Sequence, residues 1–382
     1  MIPREMQPKL LDLARKFPVV TITGPRQSGK STLSKMTFPD YRYVTLENPN
    51  NREFAEIDPQ GFLATYHNKV IIDEAQRVPQ LFNYLQGHVD AADEPGQFIL
   101  TGSQNFLLMD GVTQSLAGRT ALLTLFPFSQ TELSSQGKLP PTLDEWLLTG
   151  AFPRIYHSAI PAGDYYPPYI QTYLERDVRS LANVGNLDSF RRFMRLCAGR
   201  IGGIVDYSEL AAEASIDQRT ARRWLSILQA SSIVFLVQPF SKNFNKRLVK
   251  RPKLYLCDTG LACALLGLRT ADDVALSPFR GALFENLVLM EHLKRQWARG
   301  VQPEVWFWHE TATNEVDFII GSESSPQAVE VKSGATFSAK WFKSMKVFSA
   351  LANLGPDQRI VVYGGEDSLV TSQGKVLSWR DW

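Results

Sequence analysis

Cysteine and histidine are scarce in this 382-residue chain, which has three cysteines (Cys197, Cys257 and Cys263) and five histidines. Neither set has the paired spacing of a zinc site, so reduced, buried thiols are expected. Long apolar runs are missing too. The longest, around Ala121–Phe128 and Ile233–Val237, are strand-sized and fall short of the roughly 18 to 20 residues that a membrane-spanning helix needs. The first residues, Met1-Ile2-Pro3-Arg4-Glu5, lack the apolar stretch of a signal peptide, and a cytoplasmic protein with no membrane partner is the expectation. Excess charge of one sign is also absent, the net value being +2. What is present is ordinary for a folded protein: 44% hydrophobic and 21% charged residues, enough apolar material to argue against wholesale disorder. The length exceeds what one core organises and predicts two to four domains.

Charge is uneven along the chain. Residues 186–253 hold 13 Lys/Arg against 5 Asp/Glu, while the remainder holds 28 against 34. Such asymmetry points to a polyanion facing that one segment.

The strongest local pattern lies near the start. Phe17–Thr23 is a short β-branched run that reads as a buried parallel strand, and it leads into Gly24-Pro25-Arg26-Gln27-Ser28-Gly29-Lys30-Ser31. A helix is expected from Gly29-Lys30-Ser31-Thr32 to a stop before Pro39. In this strand-loop-helix setting the spacing is that of a phosphate-binding loop. Gly24 and Gly29 permit the turn and bring backbone N–H groups close to phosphate oxygens. Lys30 reaches the β- and γ-phosphates, and the Ser31 hydroxyl is placed for Mg²⁺. Val70-Ile71-Ile72 then reads as a buried strand ending in two acids, with Asp73 placed to hold the magnesium through water and Glu74 to orient or deprotonate the attacking water. A third core strand, Phe98–Ser103, ends in small polar residues, where Ser103 or Gln104 can sense the γ-phosphate or position the water. Arg119, before the strand Thr120–Leu125, is a candidate arginine finger in cis or from a neighbouring subunit; a surface arginine or structural ion pair is the competing reading. The cofactors expected are ATP and Mg²⁺.

Thr23–Ser31, Asp73-Glu74-Ala75-Gln76, Leu100–Gln104 and Leu116-Ala117-Gly118-Arg119 together resemble the bacterial and archaeal AAA-type ATPases that carry a C-terminal domain of unknown function. The likeness continues through Gly150-Ala151-Phe152-Pro153 and Tyr173-Leu174-Glu175-Arg176-Asp177 and so covers nearly the whole chain. It implies an AAA+ core, homo-oligomers with a ring as one form, and Glu74 as the catalytic carboxylate.

Prolines 140, 141, 153, 161, 167 and 168 punctuate the segment where a small helical lid would sit. Beyond it, Tyr207–Ala214 and Asp217–Ala230 have helix-turn-helix spacing, with Ser208 and Asp217 as N-caps. Ala221, Trp224, Leu225 and Leu228 make one apolar stripe at i, i+3, i+4 and i+7, leaving Arg219, Arg222 and Arg223 on the opposite face. The strand Ile233–Val237 follows, and then six cations without an acid, Lys242, Lys246, Arg247, Lys250, Arg251 and Lys253, which predict a basic wing. DNA is the expected partner, with arginines free to meet phosphates or base edges. Solvated helix arginines and a hairpin docked on an acidic neighbour are the alternative.

In the last third, Gly281–Met290 reads as an apolar helix with Glu285 among hydrophobic neighbours. It is followed by strands at Val305–Trp308, Val316–Ile320 and Ala328–Val331. Helix Glu285, strand Asp317, then Glu330 and Lys332 two apart on one strand face resemble the PD-(D/E)xK nuclease fold, with Val316 where the nominal proline would stand. The resemblance implies carboxylates for Mg²⁺ and a lysine that orients water; a buried ion-pair network is the alternative.

The fold expected is α/β. It combines a P-loop NTPase parallel-sheet core at 1–135, a helical lid or linker at 136–185, a winged-helix domain at 186–256 and a restriction-endonuclease-like α/β domain at 257–382. The function expected is an AAA+ ATPase that couples Mg²⁺-dependent hydrolysis to binding or remodelling of DNA. The alternative is a signalling switch whose C-terminal domain recruits a protein partner.

Overall fold

The structure, a computed structural model, describes residues 2–92, 94–103, 115–174, 187–240, 251–311 and 314–382. Five short runs rich in Val, Ile and Leu form a parallel sheet: β1 (Val19–Thr23), β2 (Arg42–Thr45), β3 (Val70–Asp73), β4 (Phe98–Thr101) and β5 (Thr120–Thr124), in the order β2-β3-β4-β1-β5. Strand period two divides the sheet's side chains between two cores. Val19, Val70, Ile72, Phe98 and Leu100 pack with helix α2 (Leu81–Ala92). Val20, Ile22, Ile71 and Ile99 pack with Leu33 of α1 (Lys30–Thr37) and with the helix Gln7–Ala14. Both faces are covered, which is why β1, β3 and β4 read as continuous apolar runs rather than alternating ones. The expected parallel α/β core is present.

Helices α3 (Pro153–Ser158) and α4 (Ala162–Tyr169) follow this sheet. Pro153 opens α3 and Pro161 precedes α4, where a missing N–H leaves no helical bond unmade. Pro167 and Pro168 stand inside α4 with their rings exposed, and the chain passes directly into a π-helical turn at Ile170–Leu174. Next come α5 (Leu187–Ala198), α6 (Tyr207–Ala214) and α7 (Gln218–Ala230). Asp217 caps α7 as expected. The cap of α6 is Asp206, not Ser208: its carboxylate accepts the Ser208 and Glu209 N–H groups at 2.9 and 3.1 Å, and Ser208 already lies in the first turn. On α7, Ala221, Trp224, Leu225 and Leu228 form the buried stripe, with Trp224 edge-on to Phe190 and Phe193 of α5.

The second sheet begins in this region. The hairpin β6 (Val234–Pro239) and β7 (Lys253–Leu256) leads through α8 (Thr259–Leu266) and α9 (Arg280–Ala298) to β8 (Val305–Thr311), β9 (Asn314–Ile320) and β10 (Gln327–Lys332). After α10 (Lys343–Ala352) come β11 (Arg359–Tyr363), β12 (Leu369–Thr371) and β13 (Gly374–Ser378), giving the order β12-β13-β11-β10-β9-β8-β6-β7. One end of β6 pairs in parallel with β8, so the hairpin is an edge of the C-terminal sheet rather than a separate wing. A single apolar core runs from Phe126 through α5, α7 and α9 to Trp379. Helix α9 joins it to the first sheet's border: Trp297 stacks on Phe126 with centroids 4.4 Å apart, Lys294 Nζ donates to Phe128 O at 2.8 Å, and Glu291 accepts the Gln130 N–H at 2.7 Å. Among the described residues no helix is long and apolar enough to cross a membrane. The three cysteines are buried and unpaired, and burial raises each thiol's pKa.

Candidate functional site

The loop between β1 and α1 leaves the carboxyl end of its strand, where ligands gather in parallel sheets. Gly24 has φ +133°, and a Cβ there would lie 2.1 Å from Leu125 O, so the tight exit requires glycine. Gly29, at φ +97°, starts α1 and turns its first N–H groups toward the loop. The Lys30 ammonium, nearly buried, donates to Gly24 O at 3.1 Å and Pro25 O at 2.8 Å. Ser28 Oγ is fully buried without a hydrogen-bond partner among the described residues. A cradle that excludes a Cβ, a buried ammonium and an orphaned hydroxyl together fit a polyphosphate.

Asp73 and Glu74 end β3. Although β4 separates β3 from β1, Asp73 reaches across: its Oδ1 accepts Ser31 Oγ at 2.8 Å and the Thr101 hydroxyl of β4, while Oδ2 accepts Tyr43 OH at 2.7 Å. Hydroxyl and carboxylate oxygens are the donors a hard divalent cation takes, so the pair fits magnesium. Glu74 sits in the left-handed region at φ +56°, an uncommon conformation outside glycine that turns its side chain off the strand line. Its Oε2 accepts Gln76 Nε2 at 2.5 Å and Ser103 Oγ at 3.1 Å. Ser103 is therefore within contact of the catalytic carboxylate candidate; Gln104 lies outside the described residues.

A cavity of about 700 Å³ opens over this floor. It is lined by Arg26, Gln27, Gly29, Lys30, Ser31 and Thr32 of the loop and α1, by Glu74, and by Ile2, Phe128, Pro153 and Tyr156. Four contributors were not legible in the sequence. Arg4, its side chain 8% exposed, donates to Ser28 O at 2.8 Å and Phe126 O at 2.6 Å, pairs with Glu132 at 3.0 Å and lies over the Phe128 ring. Tyr43 holds the far oxygen of Asp73, with Lys35 over its ring. Tyr165 and Tyr169 of α4 touch residues 27 and 26. The hydrogen-bonded partners are separated by 24 to 143 positions, and no local pattern marks such pairs.

Residues 16–134 match the family model described as AAA domain, and 140–272 and 280–382 match two domains of unknown function, DUF8612 and DUF4143. The uncharacterized protein Rv2008c of Mycobacterium tuberculosis is 31% identical over 367 residues, spanning 95% of this chain and 80% of the relative; Mb2031c of Mycobacterium bovis aligns equally. The chain belongs to their family, and it is an AAA-type P-loop ATPase. Among solved structures, the Walker-type ATPase PABY2304 of Pyrococcus abyssi aligns at 16% identity and TM-score 0.45, over 69% of this chain and 96% of that one. AMPPCP-bound DnaA from Aquifex aeolicus aligns at 16% identity and TM-score 0.31, over 59% and 85%.

Arg119 does not act as a finger in cis on this chain's own phosphate loop. Val19 N–H bonds to its carbonyl, at the end of the strands opposite the phosphate loop, and its guanidinium is gripped by both oxygens of Asp90 on α2 at 2.5 and 2.8 Å. The length of β1 separates it from Lys30, about 16 Å at strand rise. On α7, Arg219, Arg222 and Arg223 are exposed, and Arg222 lies over the Tyr207 ring at 4.1 Å. Arg251 is exposed and pairs with Asp206, while Lys242, Lys246, Arg247 and Lys250 lie outside the described residues. Lys253 is not part of a solvated wing. It is 3% exposed, inside β7, in contact with Glu315 and 3.5 Å from Glu285.

The four C-terminal candidates of the ATPase do converge. Lys332 Nζ bonds Glu330 Oε1 at 2.6 Å, Asp317 accepts the Val331 N–H at 2.7 Å, and Glu285 accepts Tyr255 OH at 2.6 Å. Glu285 is thus surrounded by polar partners rather than by hydrocarbon alone. Burial, and next the Asp317 charge, raise the pKa of both Glu285 and Glu330. Burial opposes the Lys253 charge, but Glu285, Asp317 and Glu315 together outweigh it and hold that ammonium above the ordinary lysine value. Among the described residues, no group of three or more His, Cys, Asp or Glu is arranged to hold a metal ion.

Proposed function

We propose that this ATPase hydrolyses ATP with magnesium in the cavity between residues 24–32 and Asp73–Glu74, and that turnover drives binding or remodelling of DNA. The observation that carries the reading is the 2.8 Å contact of Ser31 Oγ, a residue lining that cavity, with Asp73 Oδ1, the sequence neighbour of the cavity-lining Glu74. Backbone N–H groups of the loop and the start of α1 hold phosphate oxygens, and Lys30 transfers its bonds from Gly24 O and Pro25 O to the terminal phosphates. Ser31 Oγ and Asp73 would hold magnesium, which supplies charge neutralisation at the β- and γ-phosphates. Glu74 orients and deprotonates the attacking water, with Ser103 and Gln76 fixing the carboxylate until substrate arrives.

For the DNA contact, α6 and α7 act as a helix-turn-helix, with Arg219, Arg222 and Arg223 facing phosphate. Salt-dependent binding follows, with each lost phosphate contact reducing the log–log salt slope by about one. The test is ATPase rate against a panel of single-stranded, duplex and branched DNA. Stimulation by DNA that Arg222→Ala with Arg223→Ala abolishes supports the reading, and no DNA affinity even at low salt rejects it. Self-association into homo-oligomers is part of the same proposal and is read by light scattering with and without ATP.

A specific observation favours a second reading for the C-terminal unit. The Lys253 ammonium already neutralises the Glu285 and Glu315 carboxylates, as an ion-pair network would require rather than a cation site. On this reading Glu285, Asp317, Glu330 and Lys332 belong to a nuclease-like fold that no longer cuts, and the ATPase acts as a switch that recruits a partner. Cleavage of any substrate of the same panel with Mg²⁺ or Mn²⁺, abolished by Lys332→Ala, would refute it.

A further inference from the structure

Helix α4 places Tyr165, Tyr166 and Tyr169 at i, i+1 and i+4, on one face, and all three rings are at least 95% buried. Phe152 packs among them, with centroids 4.9 to 5.9 Å away, and Tyr165 stacks on Tyr169 at 5.7 Å. Hydrocarbon burial alone would be satisfied by phenylalanines. The hydroxyls instead point to two separate places.

Two of them reach the phosphate loop. Tyr165 OH donates to Gln27 Oε1 at 2.8 Å, and Tyr169 OH lies 3.4 Å from Arg26 O. Gln27 is the loop residue that needs holding, because it has a Cβ and yet sits at φ +60° in the left-handed region, where such residues persist only when their surroundings over-determine them. The third hydroxyl turns away. Tyr166 OH donates to Asp258 Oδ1 at 2.6 Å, and this fully buried carboxylate caps α8 through Leu261 N–H at 2.9 Å and accepts Ala151 N–H at 2.7 Å. Pro153 and Arg154, two and three residues beyond Ala151, line the nucleotide cavity. Packing here leaves no slack: a Cβ on Gly150 or Gly260 would come within 2.1 or 2.4 Å of the Tyr166 hydroxyl.

We infer that the α4 tyrosines are positioning residues of the nucleotide site, supplied from outside the AAA domain. Tyr165 and Tyr169 fix residues 26 and 27 so that the loop's N–H groups face phosphate, while Tyr166 and Asp258 tie the same helix to α8. Nucleotide binding and docking of the 140–272 segment on the ATPase core therefore stabilise one another, as reciprocal linkage demands. The inference rests on the reading that residues 24–31 hold the phosphates of ATP.

The test is a double-mutant cycle on the full chain, with fluorescent mant-ADP and its displacement by ATPγS in the presence of Mg²⁺. Tyr165→Phe keeps the ring and removes the bond; the expected result is a Kd raised about fivefold, the scale of one hydrogen bond, with kcat at saturating ATP within about twofold. Gln27→Ala should weaken binding similarly, and the double variant should be no weaker than the worse single one. Tyr169→Phe, at the longer contact, should have a smaller effect in the same direction. A lowered melting temperature without nucleotide and an unchanged Kd would make the tyrosines mere core and overturn the inference, as would additive losses in the double variant. Failure of the wild-type chain to bind mant-ADP would instead reject the nucleotide-site reading itself, so the two failures are distinguishable.

Discussion

Tyr43→Phe removes one oxygen from the magnesium side of the site and should change metal dependence before anything else. Asp73 is oriented from three directions: Ser31 and Thr101 at one oxygen and Tyr43 OH at 2.7 Å from the other. With magnesium held by Ser31 Oγ and Asp73 as proposed, the Tyr43 and Thr101 bonds would be what keep the carboxylate aimed. A hydrogen bond to a charged group contributes about 1.5 to 3 kcal/mol. Tyr43 is 37% exposed, so water can replace part of that interaction, and about 1 kcal/mol is the expected net loss, or roughly a fivefold change. The assay is ATPase rate at saturating ATP against free Mg²⁺, paired with mant-ADP affinity in EDTA. The half-activating Mg²⁺ concentration should rise about fivefold, with metal-free affinity unchanged. An unaltered Mg²⁺ midpoint, or an equal loss of affinity in EDTA, would refute the assignment of Tyr43 to the metal side.

Lys253→Met should lower stability by about 3 kcal/mol, because it leaves Glu285 and Glu315 facing each other without their buried countercharge; adding Glu285→Gln should restore part of that loss, as a urea-denaturation cycle would read. His292, 8% exposed, has its pKa pushed down to about 4 from 6.5 by burial and then Arg295, so the unfolded chain binds a proton that the folded chain refuses between those values. Its contribution is intact above pH 6.5 and is lost as pH falls toward 4, about 3 kcal/mol in all; His292→Gln should flatten that part of the urea-midpoint profile.

The phosphate loop and the Asp73-Glu74 pair were legible because each is a local device. Gly24, Gly29, Lys30 and Ser31 act within eight residues, and the strands before them announce themselves by apolar runs. The arginines of α7 were legible for a similar reason, since a 3.6-residue period separates Trp224 from Arg223 without any tertiary knowledge. As a finger in cis, Arg119 misled because proximity in sequence to a core strand does not say which end of the strand faces the ligand. Only the parallel register, with Val19 N–H bonded to Arg119 O, shows that it lies at the end away from its own chain's phosphate loop. Lys253 misled because five other cations accompany it in sequence, whereas strand β7 turns it inward among carboxylates contributed some 30 to 60 positions later. The α4 tyrosines carried no signal, since nothing in Asp164-Tyr165-Tyr166-Pro167-Pro168-Tyr169 states where a hydroxyl will point.

The central claim, that the cavity over Asp73 and Glu74 turns over ATP, is tested most directly by Glu74→Gln, with mant-ADP displacement by ATP and phosphate release measured on one preparation. The account predicts ATP affinity within about twofold of wild type and hydrolysis slowed by a factor on the order of 10² or more, as loss of a general base entails. A Glu74→Gln protein that hydrolyses ATP at the wild-type rate would contradict it.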